Sequence, residues 1–115
     1  MKKELIVKLH GAFEEHVHVE NDVEFWLARD LQDLLGYEEW RKFQNVIAKA
    51  KLACVNSKHS VGDHFVDVDK MVSIGSGSSR EITDIQLTRY ACYLIAQNGD
   101  PRKTEIAFAD RKSVV

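Results

Sequence analysis

Two cysteines, five histidines and several closely spaced carboxylates are the residues of this chain with chemistry of their own. A catalytic or metal-binding cysteine acts as its thiolate, which needs a polar, partly exposed setting. Cys54 and Cys92 both fall within apolar, helix-spaced patterns and read as buried free thiols. His59, Asp63 and His64, with Cys54 near in sequence, come closest to a ligand set, and His16 and His18 would share one face of a strand. A zinc site needs spacing such as Cys-x-x-Cys or His-Glu-x-x-His to wrap one ion, and neither occurs. The histidines therefore read as polar surface groups, and no metal or cofactor is expected. Gly75-Ser76-Gly77 is glycine-rich, but a phosphate-gripping loop needs a lysine followed by Ser or Thr at a strand-to-helix junction. The serines are there and the lysine is not, so a hairpin tip is expected. Asp67 with Asp69, and Glu14 with Glu15, are paired carboxylates that matter only in a cleft, and nothing in the sequence marks one. The expectation is a protein that is not an enzyme.

The basic side chains are the better lead. On a wheel of 100° per residue, Arg41, Asn45 and Lys49 lie opposite an apolar stripe, with Lys42 alongside and Leu52 in the same outward face. Lys70 and Arg80 flank the glycine-serine tip. These six polar groups, Arg41, Lys42, Asn45, Lys49, Lys70 and Arg80, are candidate DNA contacts, mainly to phosphates, which position a protein without reading sequence. A solvated helix face would show the same residues. The net charge of −2 does not announce a nucleic-acid binder. Its distribution is uneven. Gly11 to Asp33 holds seven acidic residues against one basic, and Arg41 to Lys112 holds twelve basic against eight acidic. Such asymmetry can put a basic face on a nearly neutral molecule.

The elements that would position these groups read as one α+β domain over residues 1–115: two short β-hairpins packed with three to four helices around one core. Composition fits a globular chain, 44% hydrophobic and 30% charged. His16 to Glu20 and Val23 to Trp26 alternate around Asn21-Asp22 as a first hairpin, and Leu5 to Leu9 reads weakly as extended. Leu27 to Leu35 is a short helix ended by Gly36. A longer helix, about Glu38 to Val55, carries the stripe Trp40, Phe43, Val46, Ile47, Ala50 and Cys54. A short helix, a glycine turn and a longer basic helix is the outline of a helix-turn-helix, and of a plain αα-corner. His64 to Asp69, Met71 to Ile74 and Arg80 to Ile82 form the second hairpin. A central apolar helix is expected at 84–97, capped by Asp84 and buried on all sides or covered in a homodimer. Asp100-Pro101 starts a fourth helix. The longest apolar run, Tyr90 to Ala96, is seven residues, where a membrane span needs about 20. With two cysteines and no export signal, the reducing cytoplasm is the expected compartment.

Three strings in the chain carry a family likeness. They are Leu34-Leu35-Gly36-Tyr37 with Trp40, Phe43 and Ala50-Lys51-x-Ala53-Cys54-x-Asn56-Ser57; then His64-Phe65 with Met71-Val72-x-Ile74-Gly75-Ser76; and then Leu87-x-Arg89-Tyr90-Ala91-Cys92-Tyr93-Leu94-x-x-Gln97-Asn98-Gly99-Asp100-Pro101. With these the chain resembles the Bro-type amino-terminal domain found in bacterial DNA-damage-inducible D proteins and in viral and phage Bro proteins. The likeness runs from about Val23 to Phe108, and relatives continue beyond it, so the carboxy-terminal part of the family is expected to be missing. The resemblance implies an α+β DNA-binding module of the bacterial SOS response, without catalytic residues or cofactor. The matched positions Arg41, Lys51, Arg89, Asn98 and Asp100 read as structural, with Arg89 and Asp100 suited to pairing or capping around the buried helix. Two function classes follow. One is a non-enzymatic DNA-binding domain. The other is a protein-interaction or dimerisation module that regulates a DNA repair or recombination partner, which the acidic front third and Leu52 favour.

Overall fold

Asn21 and Asp22 both take positive φ, 53° and 65°, as a two-residue type I′ loop requires. They join β1 (His18–Glu20) to β2 (Val23–Leu27), with Glu20 opposite Val23. The computed structural model describes residues 11–99, and the chain reaches this hairpin from a helix, α1, described over 11–15. The strand expected from His16 therefore begins two residues later. His16 ends the helix instead, its Nδ1 donating to the Ala12 carbonyl at 2.7 Å, so it shares no strand face with His18.

From β2 the chain turns directly into α2 (Ala28–Leu34). Its end follows the expected glycine signal. Gly36 sits at φ 78°, its N–H reaches Asp33 O and that of Tyr37 reaches Gln32 O, the paired bonds of a Schellman motif. Next comes α3 (Trp40–Asn56), which buries Phe43, Val46, Ile47, Ala50 and Cys54 and leaves Arg41, Asn45, Lys49 and Leu52 in solvent, as the wheel predicts. A second Schellman motif ends α3, with Lys58 N–H on Val55 O and His59 N–H on Cys54 O. Here the left-handed residue is Lys58 at φ 65°.

A single turn, α4 (Val61–His64), leads into β3 (Phe65–Gly75), which pairs along its length with β4 (Ser78–Leu87). The second hairpin is thus longer than expected. It merges with the first into one antiparallel sheet of order β1-β2-β4-β3. The join is narrow: β2 meets β4 only at Trp26↔Leu87 and Leu27↔Gln86. The fold is α+β.

The central apolar helix, α5, is Arg89–Gln97 and not 84–97. Residues 84–87 belong to β4, where Ile85 and Leu87 point into the core at strand spacing with half-buried Gln86 between them. Thr88 is the true N-cap, its hydroxyl accepting from Ala91 N at 3.1 Å. Asp84 does cap a helix, but a different one: its Oδ1 accepts from Arg29 N at 3.1 Å, at the start of α2. Packed on α3, α5 buries Ala91, Cys92, Leu94, Ile95 and Ala96, while Tyr90 and Tyr93 stay half-exposed. Both cysteines are buried and free, and burial pushes the Cys92 thiol well above its ordinary range.

At the other end of the sheet, Trp26 stacks on Phe13 with ring centroids 4.4 Å apart and donates from Nε1 to the Phe13 carbonyl at 2.8 Å. Arg89 lies over both rings. Its fork meets Glu14 at 2.7 and 3.0 Å and Glu24 at 2.9 and 3.2 Å. The pairing expected of Arg89 is therefore present, and it ties α1, β2 and α5 together. Asp100, the fourth helix and the extended piece at 5–9 lie outside the described residues. No helix among the described residues is long and apolar enough to cross a membrane.

Lys58 holds a conformation that a side chain disfavours by about 1–2 kcal/mol, on an exposed turn where nothing requires lysine. Lys58→Gly should therefore raise the unfolding free energy by about 0.5–1 kcal/mol after the extra entropy of an unfolded glycine is subtracted. Urea denaturation followed by circular dichroism measures this, and a loss of stability would show that the lysine side chain holds the turn.

Candidate nucleic-acid interface

A 17-residue helix would normally mix charges on its solvent face, and α3 does not. It carries Arg41, Lys42, Lys49 and Lys51 and no acidic residue. At about 1.5 Å per residue the helix is some 25 Å long, and its basic residues fall into separate environments. Arg41, Asn45 and Lys49 stand one above another on the exposed face. Neither Arg41 nor Lys49 has an ion-pair partner among the described residues. Lys42 is exposed beside them but pairs with Glu39 at 3.0 Å, an i,i+3 contact open to solvent, of a kind that contributes well under about 1 kcal/mol. Lys51 is half-buried and turned to β3, its ammonium 6.0 Å from the centre of the Phe65 ring. Beyond Lys49 the exposed face becomes apolar, with Leu52 and Val55 in solvent.

The second group lies on the β3–β4 hairpin. Lys70 opposes Ile82 and Arg80 opposes Val72, so the two cations are diagonal neighbours on one face. Their surroundings differ. Arg80 is exposed. Lys70 is turned the other way, towards Asp84, which is fully buried. The Oδ1 of Asp84 accepts from Arg29 N and from Ile85 N at 2.8 Å. Its Oδ2 accepts no well-directed hydrogen bond and is balanced by the Lys70 ammonium 2.9 Å away. Lys70 therefore neutralises a buried carboxylate.

Arg29 is a residue that reading along the sequence missed. Its guanidinium stacks on Trp40 at 4.1 Å while Nε donates to Thr83 O at 2.7 Å. It thereby bridges the first turn of α3 and the strand that carries Asp84. No local pattern could reveal the contacts to the strand, because Thr83 and Asp84 are 54 and 55 residues away. Between α3 and the hairpin lies a cleft of about 290 Å³ lined by Trp40, Gln44, Asp67, Asp69, Thr83 and Asp84, among others. Three carboxylates make it a poor site for phosphate. The residues that would have marked a metal or catalytic pocket lie elsewhere. His59 and His64 pack against Tyr90 with ring centroids 4.8 and 4.9 Å away, and His64 Nδ1 meets the Thr88 hydroxyl at 2.7 Å. Among the described residues no group of three or more His, Cys, Asp or Glu could hold a metal ion.

Residues 15–111 match the family model described as the BRO family, N-terminal domain. The chain is also similar to DNA damage-inducible protein D of Escherichia coli (strain K12), with 52% identity over 99 residues. That alignment covers 85% of this chain and 36% of the relative, so the chain spans about a third of its length. No solved structure matches.

The two hairpin cations should respond differently to substitution. Lys70→Met strands the Asp84 carboxylate, which should cost about 3–5 kcal/mol, and adding Asp84→Asn should recover much of the loss. Arg80→Ala should change stability by less than about 0.5 kcal/mol. Chemical denaturation of the three variants decides the matter; a negligible effect of Lys70→Met would mean that its ion pair contributes nothing to the fold.

Proposed function

The chain belongs to the BRO family through its N-terminal domain, and from that premise we propose that it is a non-enzymatic DNA-binding domain of a DNA-damage response. The observation that carries this reading is α3: four cations, no carboxylate, and an exposed row of Arg41, Asn45 and Lys49. Guanidinium and ammonium groups on one face attract phosphates, and an asparagine between them donates a further hydrogen bond. The damage-response context comes from the relative, whose name describes it as DNA damage-inducible. Arg80 joins the contacts from the hairpin. Lys42 and Lys70 take a smaller part, since both face carboxylates. Two buried free thiols suit a reducing cytoplasm.

A second reading, a protein-docking module for a repair or recombination partner, is favoured by Leu52 and Val55, which are 62% and 54% exposed on the same helix. Salt separates the two. Phosphate contacts release counterions and weaken steeply as salt rises, whereas an apolar docking face tolerates salt.

Fluorescence anisotropy with labelled single-stranded and duplex DNA, at low and physiological salt, is the direct measurement. Binding should weaken by an order of magnitude or more across that range, and Arg41→Glu with Lys49→Glu should lower the salt slope by about 2 as two phosphate contacts are lost. Unchanged binding by the double variant would overturn the reading, and so would an absence of binding at low salt.

A further inference from the structure

Beyond the Leu27↔Gln86 pair, β2 leaves the sheet and β4 has β3 as its one strand neighbour. The outer hairpin is therefore a two-stranded ribbon projecting from the body. Its side chains are exposed from Ser73 to Glu81, with Val72 and Ile82 half-buried. Gly75, Ser76 and Gly77 turn the tip at φ 93°, 51° and 74°. We propose that this β3–β4 arm enters the major groove of duplex DNA. The inference rests on the DNA-binding reading and deepens it, since it names the form of nucleic acid and the element that reads it.

Shape, charge and anchoring each support the assignment. At about 3.4 Å per residue, Lys70 to Gly75 spans some 17 Å, twice the groove depth of about 8.5 Å, and a two-stranded ribbon fits the groove width of about 12 Å. From Met71 to Arg80 the chain holds one cation, Arg80, four serines and no carboxylate, with Glu81 following and Lys70 engaged by Asp84 at the root. Serine hydroxyls and arginine are donors suited to phosphates and base edges. Met71 and Ile74 are 62% and 59% exposed, and an irregularity in register between Ser73 and Gly75 sets Ile74 outside the ladder. Side chains of this kind can meet thymine methyl groups, the apolar feature of the groove. The root of the arm is held: Lys70 faces Asp84, Asp84 receives Arg29 N, and Arg29 Nε reaches Thr83 O. A ribbon fixed at its base loses little freedom when its tip is gripped.

The test compares the full chain with a shortened arm, in which residues 72–80 are replaced by Asn-Gly so that the Met71↔Glu81 pair closes in a two-residue turn. A point variant, Ser78→Ala with Ser79→Ala and Arg80→Ala, changes exposed positions alone and guards against misfolding. Affinities for duplex and single-stranded DNA of equal length are measured together with protection of guanine N7 from methylation. The shortened arm should lose about tenfold or more on duplex, keep single-strand affinity within about threefold, and abolish the N7 protection given by the unaltered chain, which lies in the major groove. The point variant should show the same trend, reduced in size. Duplex affinity and protection that survive shortening would overturn the arm assignment. If Arg41→Glu with Lys49→Glu still weakens binding and lowers its salt slope, the DNA-binding reading stands without it. Failure of the unaltered chain to bind either form overturns both.

Discussion

A carboxylate with no exposure to water is the constraint on which this small domain is organised. Burying an uncompensated carboxylate is costly enough that it must be surrounded by donors and a counter-charge. Asp84 finds them on three elements: Ile85 N on its own strand, Arg29 N at the first turn of α2, and the Lys70 ammonium across the hairpin. The start of α2 has no cap of its own, since Leu27 stands at its N-cap position with no side chain to accept. Asp84 supplies that acceptor from a distant strand and meets the positive end of the helix, which favours a negative charge. The place where β2 stops being a strand is thereby fixed, and so is the point from which β3 and β4 continue alone.

Much of this was legible along the chain and some could not have been. The pattern of α3 was readable because one helix wheel separates Phe43, Val46, Ile47, Ala50 and Cys54 from Arg41, Asn45 and Lys49 with no help from tertiary contacts. Asn21-Asp22 and Gly36 were readable for a related reason, since each acts through its own φ. The stretch 84–97 was misread because its pattern fits both periods. Leu87 falls on the helix face of Ala91, Leu94 and Ile95, and an aspartate before an apolar run looks like an N-cap. Asp84 does cap a helix; what local pattern cannot supply is which one. Lys70 reads as an unpaired charge in the sequence because its partner Asp84 is on the other strand of the hairpin.

The charges follow the same logic. The acidic front third favours a protein-interaction role when read along the sequence, yet part of its acidity serves the fold. Glu14 and Glu24 hold the Arg89 fork, and Asp30 sits 3.7 Å from His18. Asp84 is buried. With these carboxylates engaged, a net charge of −2 is compatible with a helix that has no negative side chain. Net charge describes how a molecule behaves in bulk, whereas a partner at contact distance meets local charge, because screening removes most of what lies beyond about 8–10 Å.

Arg29 then takes on an importance its sequence position conceals. Its backbone N–H goes to Asp84, its Nε to the Thr83 carbonyl, and its guanidinium to the face of Trp40. The first two contacts hold the root of the β3–β4 arm and the third holds the first residue of α3. A guanidinium is suited to this, since its planar fork can donate at one edge while its face stacks on indole. A lysine would keep the charge and lose both directions. The basic helix and the projecting ribbon are joined through the short segment 57–64, and Arg29 adds a side-chain tie between them. One arginine thus sets the first residue of α3 against the base of the arm.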